Sequence, residues 1–598
     1  MTIAPQAPMR SIWSRGLSQR VVKMARDYGD AVAALNTLQS NFSIVDAIRK
    51  SGKGMNKQAI PEMVEWLRKA GYKPSDLDRL QTIHIAGTKG KGSTSAFISS
   101  ILSQYTPKAK GQPAALKPHK IGLYTSPHLR FVRERIQIDN APLPESLFAQ
   151  YFFEVWDRLE ASAQLEGLPT DSSAKPVYFR FLTLMAFHAY MREGVDTAVI
   201  EAGIGGEYDS TNILVGPTVT GITSLGIDHV AVLGDTIDQI AWHKAGIMKP
   251  GATAYTVPQP EAAMTVLRQR AAEKGVKLNV VQRHPDLDNI QLGLAADFQK
   301  TNASLAIAIA AEHLRRLGHT DIPADISTTS PLPEAFRRGL EQVRWGGRCE
   351  TRKEDGVVWY IDGGHTLDSI GEAAKWYASQ LPPSPPSSSS TSPAIPPSSS
   401  TPTASTASPS TSTSTSPPTP STTTTSAPRI LLFNQQTRDA PSLARHLHTT
   451  LTTALHTPSH FTHAIFTPNI TTRATGYAPD LVSINTSAAD VDTLKVQREL
   501  AATWAALHHG PDADADADGD GGQGACSVKV VGCIEDAVAE VRRVAAEYMR
   551  RHGGGGERKE DGEGVSVLVT GSLHLVGGVL EVLETGAGAG AGAGVGAS

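Results

Sequence analysis

Cysteine is scarce: Cys349, Cys526 and Cys533 are the only three in 598 residues. Their spacing fits neither a disulfide framework nor a zinc ribbon, so packing must hold the fold, in a reducing compartment. Long apolar runs are missing as well, and none could span a bilayer. An excess of charge of one sign is also missing. The formal net charge is −3 and no basic stripe appears, which excludes nucleic acid as the expected partner. Acidic residues are absent before Asp27, where Arg10, Arg15, Arg20, Lys23 and Arg26 are interspersed with Ser11, Ser14, Ser18 and apolar side chains. That composition suits a mitochondrial presequence over residues 1–26, and initiation at Met24 would give a form without it. Cytoplasm and mitochondrion are the expected locations, the latter in the matrix or against its inner membrane.

What the chain does have is a glycine-rich loop. Residues His84 to Ser93 read His-Ile-Ala-Gly-Thr-Lys-Gly-Lys-Gly-Ser and run out of a short apolar strand, Thr82–Gly87. Gly87, Gly90 and Gly92 let the backbone turn tightly, so that several N–H groups can face one phosphate. The next run, Ser93–Tyr105, is expected to be a helix whose N-terminal dipole favours an anion. Lys91 then acts as a point charge on the terminal phosphates. The match to the standard phosphate-binding loop is imperfect, because Gly92 separates Lys91 from Ser93.

From residue 27 to 335 short apolar strands alternate with amphipathic helices, which predicts parallel strands in a helix-covered sheet. Strands are expected at Thr197–Glu201, Thr218–Thr223 and Thr253–Val257, and helices at Gln58–Ala70, Phe179–Met191, Ile237–Ala245, Glu261–Lys274 and Gln299–Leu317. A second alternating set spans residues 336–598, with strands at Val357–Asp362, Ile430–Asn434, His463–Thr467, Val528–Gly532 and Val565–Gly571. Leu367–Ser379, Ala440–Leu455, Glu535–Arg551 and Val576–Leu583 are its expected helices. Three low-complexity insertions interrupt this second domain. Residues 381–428 hold 42 Ser, Thr or Pro in 48 positions, too little apolar content to offset chain entropy. Residues 509–525 and 552–564, and the tail 586–598, are read the same way. Asp514, Asp516, Asp518 and Gly519 hint at a calcium loop, but Ala525 stands where a bidentate glutamate is needed.

Chemistry-bearing residues fall at the carboxyl ends of strands, where ligands bind in parallel sheets. Glu201 ends its strand and opens Glu-Ala-Gly-Ile-Gly-Gly-Glu-Tyr-Asp-Ser-Thr-Asn. The next strand is followed by Asp228 and His229. A glutamate and a histidine there could hold Mg²⁺, with phosphate oxygens and waters completing the shell, although magnesium prefers oxygen and His229 could equally cap a turn. Lys244 lies on the helix after His229 and could oppose phosphate charge or snorkel outward. In the second domain, Trp345-Gly-Gly-Arg348 precedes a strand that ends in Asp362-Gly-Gly-His365. Asp362 could accept ribose hydroxyls, and Arg348 could meet base or phosphate. Thr570-Gly-Ser572 ends the last strand.

Taken together these segments resemble the folylpolyglutamate synthases of eukaryotes, within the Mur ligase superfamily. The resemblance is carried by Tyr28–Asn41, Gly87–Ser93, Thr125–Leu129, Glu134–Ile136, Glu201–Asn212, Asp228-His229, Lys244–Gly246, Gln299 with Asn302-Ala303, Gly347-Arg348, Asp362–His365, Leu431–Asn434 and Thr570–Ser572. It covers about residues 27 to 585, apart from the insertions. It implies an α/β fold: a P-loop, Mur-ligase-like ATPase domain followed by a smaller Rossmann-like α/β domain. It further implies that Ser126, Glu201 and His229 ligate magnesium. Gly87, Thr88, Lys89, Gly90, Lys91, Gly92, Ser93 and Asn302 would bind ATP, joined by Arg348, Asp362 and His365 from the second domain. Lys91, Lys244 and His365 would be the catalytic groups, with Lys244 matching a lysine that is carbamylated in some relatives. Ser572 would lie near the incoming glutamate. A monovalent cation such as K⁺ and a monomeric state belong to the same expectation. Gly364 stands where the family often has alanine, a mild departure.

The implied reaction joins L-glutamate to the γ-carboxylate of a tetrahydrofolate glutamate tail, with ATP becoming ADP and phosphate. Dihydrofolate synthase, which performs the same chemistry on dihydropteroate, shares nearly every motif. The Tyr28–Asn41 block and the Thr-Lys-Gly-Lys form of the loop favour the polyglutamylating enzyme. A nucleotide-binding relative without catalysis would not need Lys91, Glu201, His229, Lys244 and Asp362 together.

Overall fold

The computed structural model describes residues 26–39, 57–107, 116–328, 331–354, 356–382, 427–436, 438–474, 480, 493–509, 526–552 and 564–591. The presequence expected before Arg26 and the bulk of the three low-complexity segments lie outside these residues. The first sheet contains β1 Ile83–Ala86, β2 Ile121–Tyr124, β3 Ile136–Ile138, β4 Ala141–Pro142, β5 Thr197–Glu201, β6 Val219–Ile222, β7 Thr253–Thr256 and β8 Lys277–Val280. Its order is β4-β3-β2-β5-β1-β6-β7-β8, parallel except for β3 and β4 at one edge. Strand side chains alternate between faces with the period of two that a pleat imposes. Ile83, Ile85 and Val199 enter one apolar cluster, Ala198 and Ile200 the other. Helices Lys91–Ser103, Gln299–Arg316 and Glu334–Gln342 cover the first face. Tyr28–Asn36, Ala59–Lys69, Glu145–Leu165 and Tyr178–Glu193 cover the second.

Helix Tyr28–Asn36 starts at a reciprocal cap. The Asp27 carboxylate accepts the Asp30 amide at 2.9 Å, and Asp30 accepts the Asp27 amide at 3.1 Å. Helix Ile237–Ala245 comes close to the sheet because small residues, Ala86, Ala202, Ala241 and Ala245, form the contact. This closeness places Lys244 at the carboxyl edge of the strands.

The junction between the domains falls later than residue 335. Phe336, Leu340 and Val343 form a helical stripe buried in the first core. A Cβ on Gly339 would stand 2.6 Å from the Ile101 Cα, and the Ser100 hydroxyl donates to the Gly339 carbonyl at 2.7 Å. The chain leaves this core after Trp345 and opens the second sheet at Glu350.

The second sheet contains β9 Glu350–Glu354, β10 Val357–Ile361, β11 Arg429–Phe433, β12 His463–Phe466, β13 Ser527–Val530 and β14 Val565–Thr570, in the order β13-β12-β11-β14-β10-β9. Only β9 runs antiparallel. Helices Leu367–Gln380, Ala440–Leu455 and Lys495–His509 cover one face, Ile534–His552 and Leu573–Ala591 the other. The low-complexity segments each join the end of a helix to the strand that follows, Gln380 to Arg429, His509 to Ser527 and His552 to Val565. The last helix continues to Ala591, into the tail expected to lack regular structure. A helix already nucleated on buried Leu575, Val576 and Val579 extends there through alternating glycine and alanine, although each glycine costs about 1 kcal/mol relative to alanine. Among the described residues no helix is long and apolar enough to cross a membrane.

Gly339→Ala is expected to lower stability by about 1–3 kcal/mol, the cost of overpacking a filled contact. Chemical denaturation measures it, and an unchanged midpoint would mean that this helix does not pack on Lys91–Ser103.

Candidate functional site

The carboxyl ends of β1, β5 and β6 meet those of β10, β11 and β14 across the domain interface. At β1 the chain turns through Gly87 (φ +151°) and Gly90 (φ +84°). Neither position can carry a side chain. A Cβ on Gly87 would lie 1.8 Å from the Thr223 hydroxyl oxygen, and one on Gly90 would lie 2.1 Å from the Asn302 amide oxygen. The helix begins at Lys91 rather than Ser93, with Gly90 as its cap. The Thr88 and Lys89 amides both donate to the Ser224 carbonyl at 3.0 Å, and the Thr88 hydroxyl donates to Gly226 at 3.1 Å. Asn302 donates to Gln299 at 2.8 Å, and Gln299 in turn donates to Ser93 at 3.3 Å, so the far wall of the loop is a closed polar network.

Glu201 is buried at the end of β5. Its partners among the described residues are Lys91, with Nζ 3.8 Å from Oε1, and the Ser126 amide, 3.3 Å from Oε2. Burial raises its carboxyl to about 7, against the opposing pull of Lys91 and the Ser126 amide. Lys244 is 3% exposed, and its Nζ donates to the Gly87 carbonyl at 2.7 Å. Burial, reinforced by the charge of Lys91, lowers its ammonium to about 7. His229 adopts the left-handed conformation (φ 53°) between Asp228 and the short helix Val230–Leu233. Burial lowers its imidazole to about 4, partly offset by Asp228, and Lys91 and Lys244 are close enough to lower it further.

These residues fit a magnesium ion. Glu201 is a desolvated carboxylate without a full complement of cationic partners, and the amide of Ser126, a residue that also carries a hydroxyl, meets it. Among the described residues no group of three His, Cys, Asp or Glu could hold a metal by itself. Magnesium does not need such a cage: one or two carboxylates suffice when phosphate oxygens and waters complete the shell.

The second domain faces this edge with Arg348, Asp362, Thr366, His365 and Arg438. Asp362 is buried and accepts the Cys349 and Gly364 amides at 2.9 and 2.8 Å. Burial raises its carboxyl, and Arg348 is the strongest opposing influence. His365 Nδ1 faces the Gly363 carbonyl at 2.8 Å, and burial lowers its imidazole to about 4. Two contacts cross between domains at the loop itself. Lys89 Nζ donates to the Thr366 hydroxyl at 2.6 Å, and Arg438 pairs with Asp228 at 3.0 Å. Burial works against the Asp228 charge, but His229, Arg438 and Lys89 outweigh it and hold the carboxyl well below the usual range.

The structure therefore brings Lys91, Ser126, Glu201, His229 and Lys244 to one edge and Arg348, Asp362 and His365 to the facing one. Ser572 stands apart in role: its hydroxyl lies 3.5 Å from the Leu575 amide, at the start of helix Leu573–Ala591. Arg438 escaped the sequence reading. The available signal was a basic residue in the loop after β11, immediately before the helix-capping Asp439.

Two parallel-sheet domains, facing each other at their carboxyl edges with a glycine-rich lysine loop between them, define the Mur-ligase-like class of two-domain folds. Solved structures share it. A Mycobacterium tuberculosis folylpolyglutamate synthase complexed with ADP and AMPPCP aligns with a TM-score of 0.57 at 20% identity, over 92% of this chain and 99% of that one. The apo form of the L. casei enzyme gives 0.57 at 20%, over 93% and 100%. Sequence relatives are nearer. A folylpolyglutamate synthase of Neurospora crassa is 41% identical over 561 residues, 94% of this chain and 92% of that protein. One from Saccharomyces cerevisiae S288c is 39% identical over 564 residues, 94% and 88% of the two chains. No protein-family model matches the chain. The chain belongs to the folylpolyglutamate synthase family.

The raised Glu201 carboxyl has a consequence for stability. The folded state holds its proton more tightly than the unfolded chain does. The benefit is full below pH 4.5 and is lost as pH rises through about 7. In magnesium-free protein, Glu201→Gln is therefore expected to be more stable than the native chain above pH 7, by about 3 kcal/mol, with the difference vanishing below pH 4.5. Thermal unfolding across that range tests it, and a pH-independent difference would contradict the assignment.

Proposed function

We propose that this protein adds L-glutamate to the γ-carboxylate of tetrahydrofolate and its polyglutamates, with ATP converted to ADP and phosphate. The observation that carries the reading is the 41% identity to a folylpolyglutamate synthase across 94% of the chain. The convergence of Lys91, Glu201 and Lys244 at one sheet edge supports it.

A carboxylate is a poor electrophile, and transfer of the ATP γ-phosphoryl group makes it an acyl phosphate. The glutamate amine then attacks, and phosphate leaves from a tetrahedral intermediate. The protein's work is positioning and charge neutralisation. Lys91 faces the terminal phosphates, and Lys244 opposes charge behind the loop. With its ammonium lowered to about 7, Lys244 can alternatively add carbon dioxide as the neutral amine, releasing a proton, and the anionic carbamate would then organise cation and phosphate instead of opposing phosphate charge. Magnesium, held by Ser126, Glu201 and His229, would screen the phosphate oxygens. Arg348, Asp362 and His365 would hold the nucleotide from the second domain, and apposition of the two domains keeps water from the acyl phosphate.

Lys89, Arg438 and Asp228 form a set of two cations and one carboxylate beside this centre. That set matches L-glutamate, with its two carboxylates and one ammonium, better than Ser572 does in its helix-capping place. Arg438→Ala is expected to raise the KM for glutamate about tenfold or more while the KM for ATP changes little. Equal losses for both substrates would reject the assignment.

Incubation with ATP, Mg²⁺ and L-glutamate, with either tetrahydrofolate or dihydropteroate, tests the reaction by product mass. Successive glutamate increments on tetrahydrofolate are expected, and a single addition to dihydropteroate alone would make the protein a dihydrofolate synthase. Lys91→Ala is expected to abolish the increments. A monomer, stimulation by K⁺ and a dual cytoplasmic and mitochondrial location complete the proposal. For the location, the basic residues before Asp27 are the support, and a reporter fused to residues 1–26 that stays in the cytosol would refute it.

A further inference from the structure

The loop from Ser126 to Glu134 starts in the site, leads into β3 of the first sheet, and touches the second domain along its middle. At the site end, the Ser126 amide meets Glu201. Its middle is stiffened by Glu134, which accepts the amides of Leu129, Arg130 and Phe131 at 2.8 to 3.2 Å. Three second-domain features grip it. Leu129 packs into the apolar cluster of the second domain beside Val576. Arg130 pairs with Glu581 at 2.5 Å and with Glu584, both on the last helix. The third grip is Asp480, on the connection between β12 and helix Lys495–His509. Its carboxylate accepts the Tyr28 hydroxyl at 2.5 Å and the Val132 amide at 2.7 Å. Its carbonyl accepts from His128 Nε2 at 2.8 Å, because Arg135 donates to the other ring nitrogen at 2.9 Å.

Asp480 thus touches a helix and a loop more than 340 residues earlier in the chain, and neither contact is needed to build its own domain. A half-buried carboxylate used in this way is expensive unless it holds something in register. Among the described residues, the loop contacts of Asp480, the Leu129 socket and the Arg130 pair converge on the loop that begins at Ser126.

We propose that Asp480 is a positioning residue for the ligase reaction: by joining Tyr28 to Val132 and His128 it holds the Ser126–Glu134 loop in place and so sets Ser126 against Glu201. The proposal rests on the ligase reading only where ligation itself is measured. Two of its tests need no folate chemistry. In Asp480→Ala, amide hydrogen exchange within residues 126–134 is expected to quicken about tenfold, with exchange in β1, β5 and β14 unchanged. Affinity for the ATP analogue AMPPCP with Mg²⁺, measured by calorimetry, is expected to fall about fivefold. In the ligation assay, ADP should be released without a matching glutamate addition. Tyr28→Phe removes a single hydroxyl and should move all three readouts in the same direction by less, which keeps the proposal testable if Asp480→Ala fails to fold. Unchanged loop exchange and unchanged analogue affinity would overturn it. A uniform rise in exchange over the whole molecule would overturn it too, since that is a loss of stability alone. If the native protein adds no glutamate, the ligase reading falls, while the exchange and calorimetric results still decide the role of Asp480.

Discussion

Removal of one carboxylate from water governs this architecture. Glu201 lies where β5 ends, under the glycine-rich loop and beside Ser126, and its burial makes it a poor anion until positive charge arrives. The groups around it supply that charge incompletely. Lys91 stays 3.8 Å away, and Lys244 is itself turned toward neutrality by burial and by Lys91. The edge is thus an unfinished electrostatic arrangement, which a divalent cation and phosphate oxygens would complete together. Close packing of alanines beneath helix Ile237–Ala245 and the side-chain-free turns at Gly87 and Gly90 keep that arrangement compact.

Much of the fold was legible because the two sheets are parallel and buried on both sides. Strands such as Thr197–Glu201 read as short apolar runs, and helices such as Ile237–Ala245 and Ala440–Leu455 carry their stripe in the local sequence. The strand Ile121–Tyr124 and the helices Glu145–Leu165 and Lys495–His509 were missed although their sequences carry an apolar pattern, whereas other missed elements have a weak signal for a physical reason. β3, β4 and β9 are antiparallel edges, short or half exposed, so they carry little hydrophobic pattern. Helix Glu334–Gln342 is mostly polar, and Ala335, Phe336, Gly339 and Leu340 bind it to the first core.

The site divides the same way. Lys91, Glu201, His229, Lys244 and Asp362 stand at the ends of strong strands or on the helices that follow, so position along the chain already implies position in the crevice. Residues whose partners lie across the interface were invisible: Arg438 matters through Asp228, and Asp480 through Tyr28, His128 and Val132. No spacing rule connects positions so far apart. Only the docking of two sheets brings them together.

The three helix-to-strand connections that carry the low-complexity segments all enter β11, β13 and β14 at their amino ends. The crevice lies at the opposite ends of those strands, one sheet height away. Three strand-to-helix turns on the working side are short in comparison, from Ile361 to Leu367, Phe433 to Ala440 and Thr570 to Leu573, while the connection from Phe466 to Lys495, which carries Asp480, is long. The second domain is therefore a scaffold with a permissive rear. Length can be added or removed behind it, by evolution or by a protein engineer seeking a place for an affinity tag or fluorophore, without disturbing the geometry on which turnover depends.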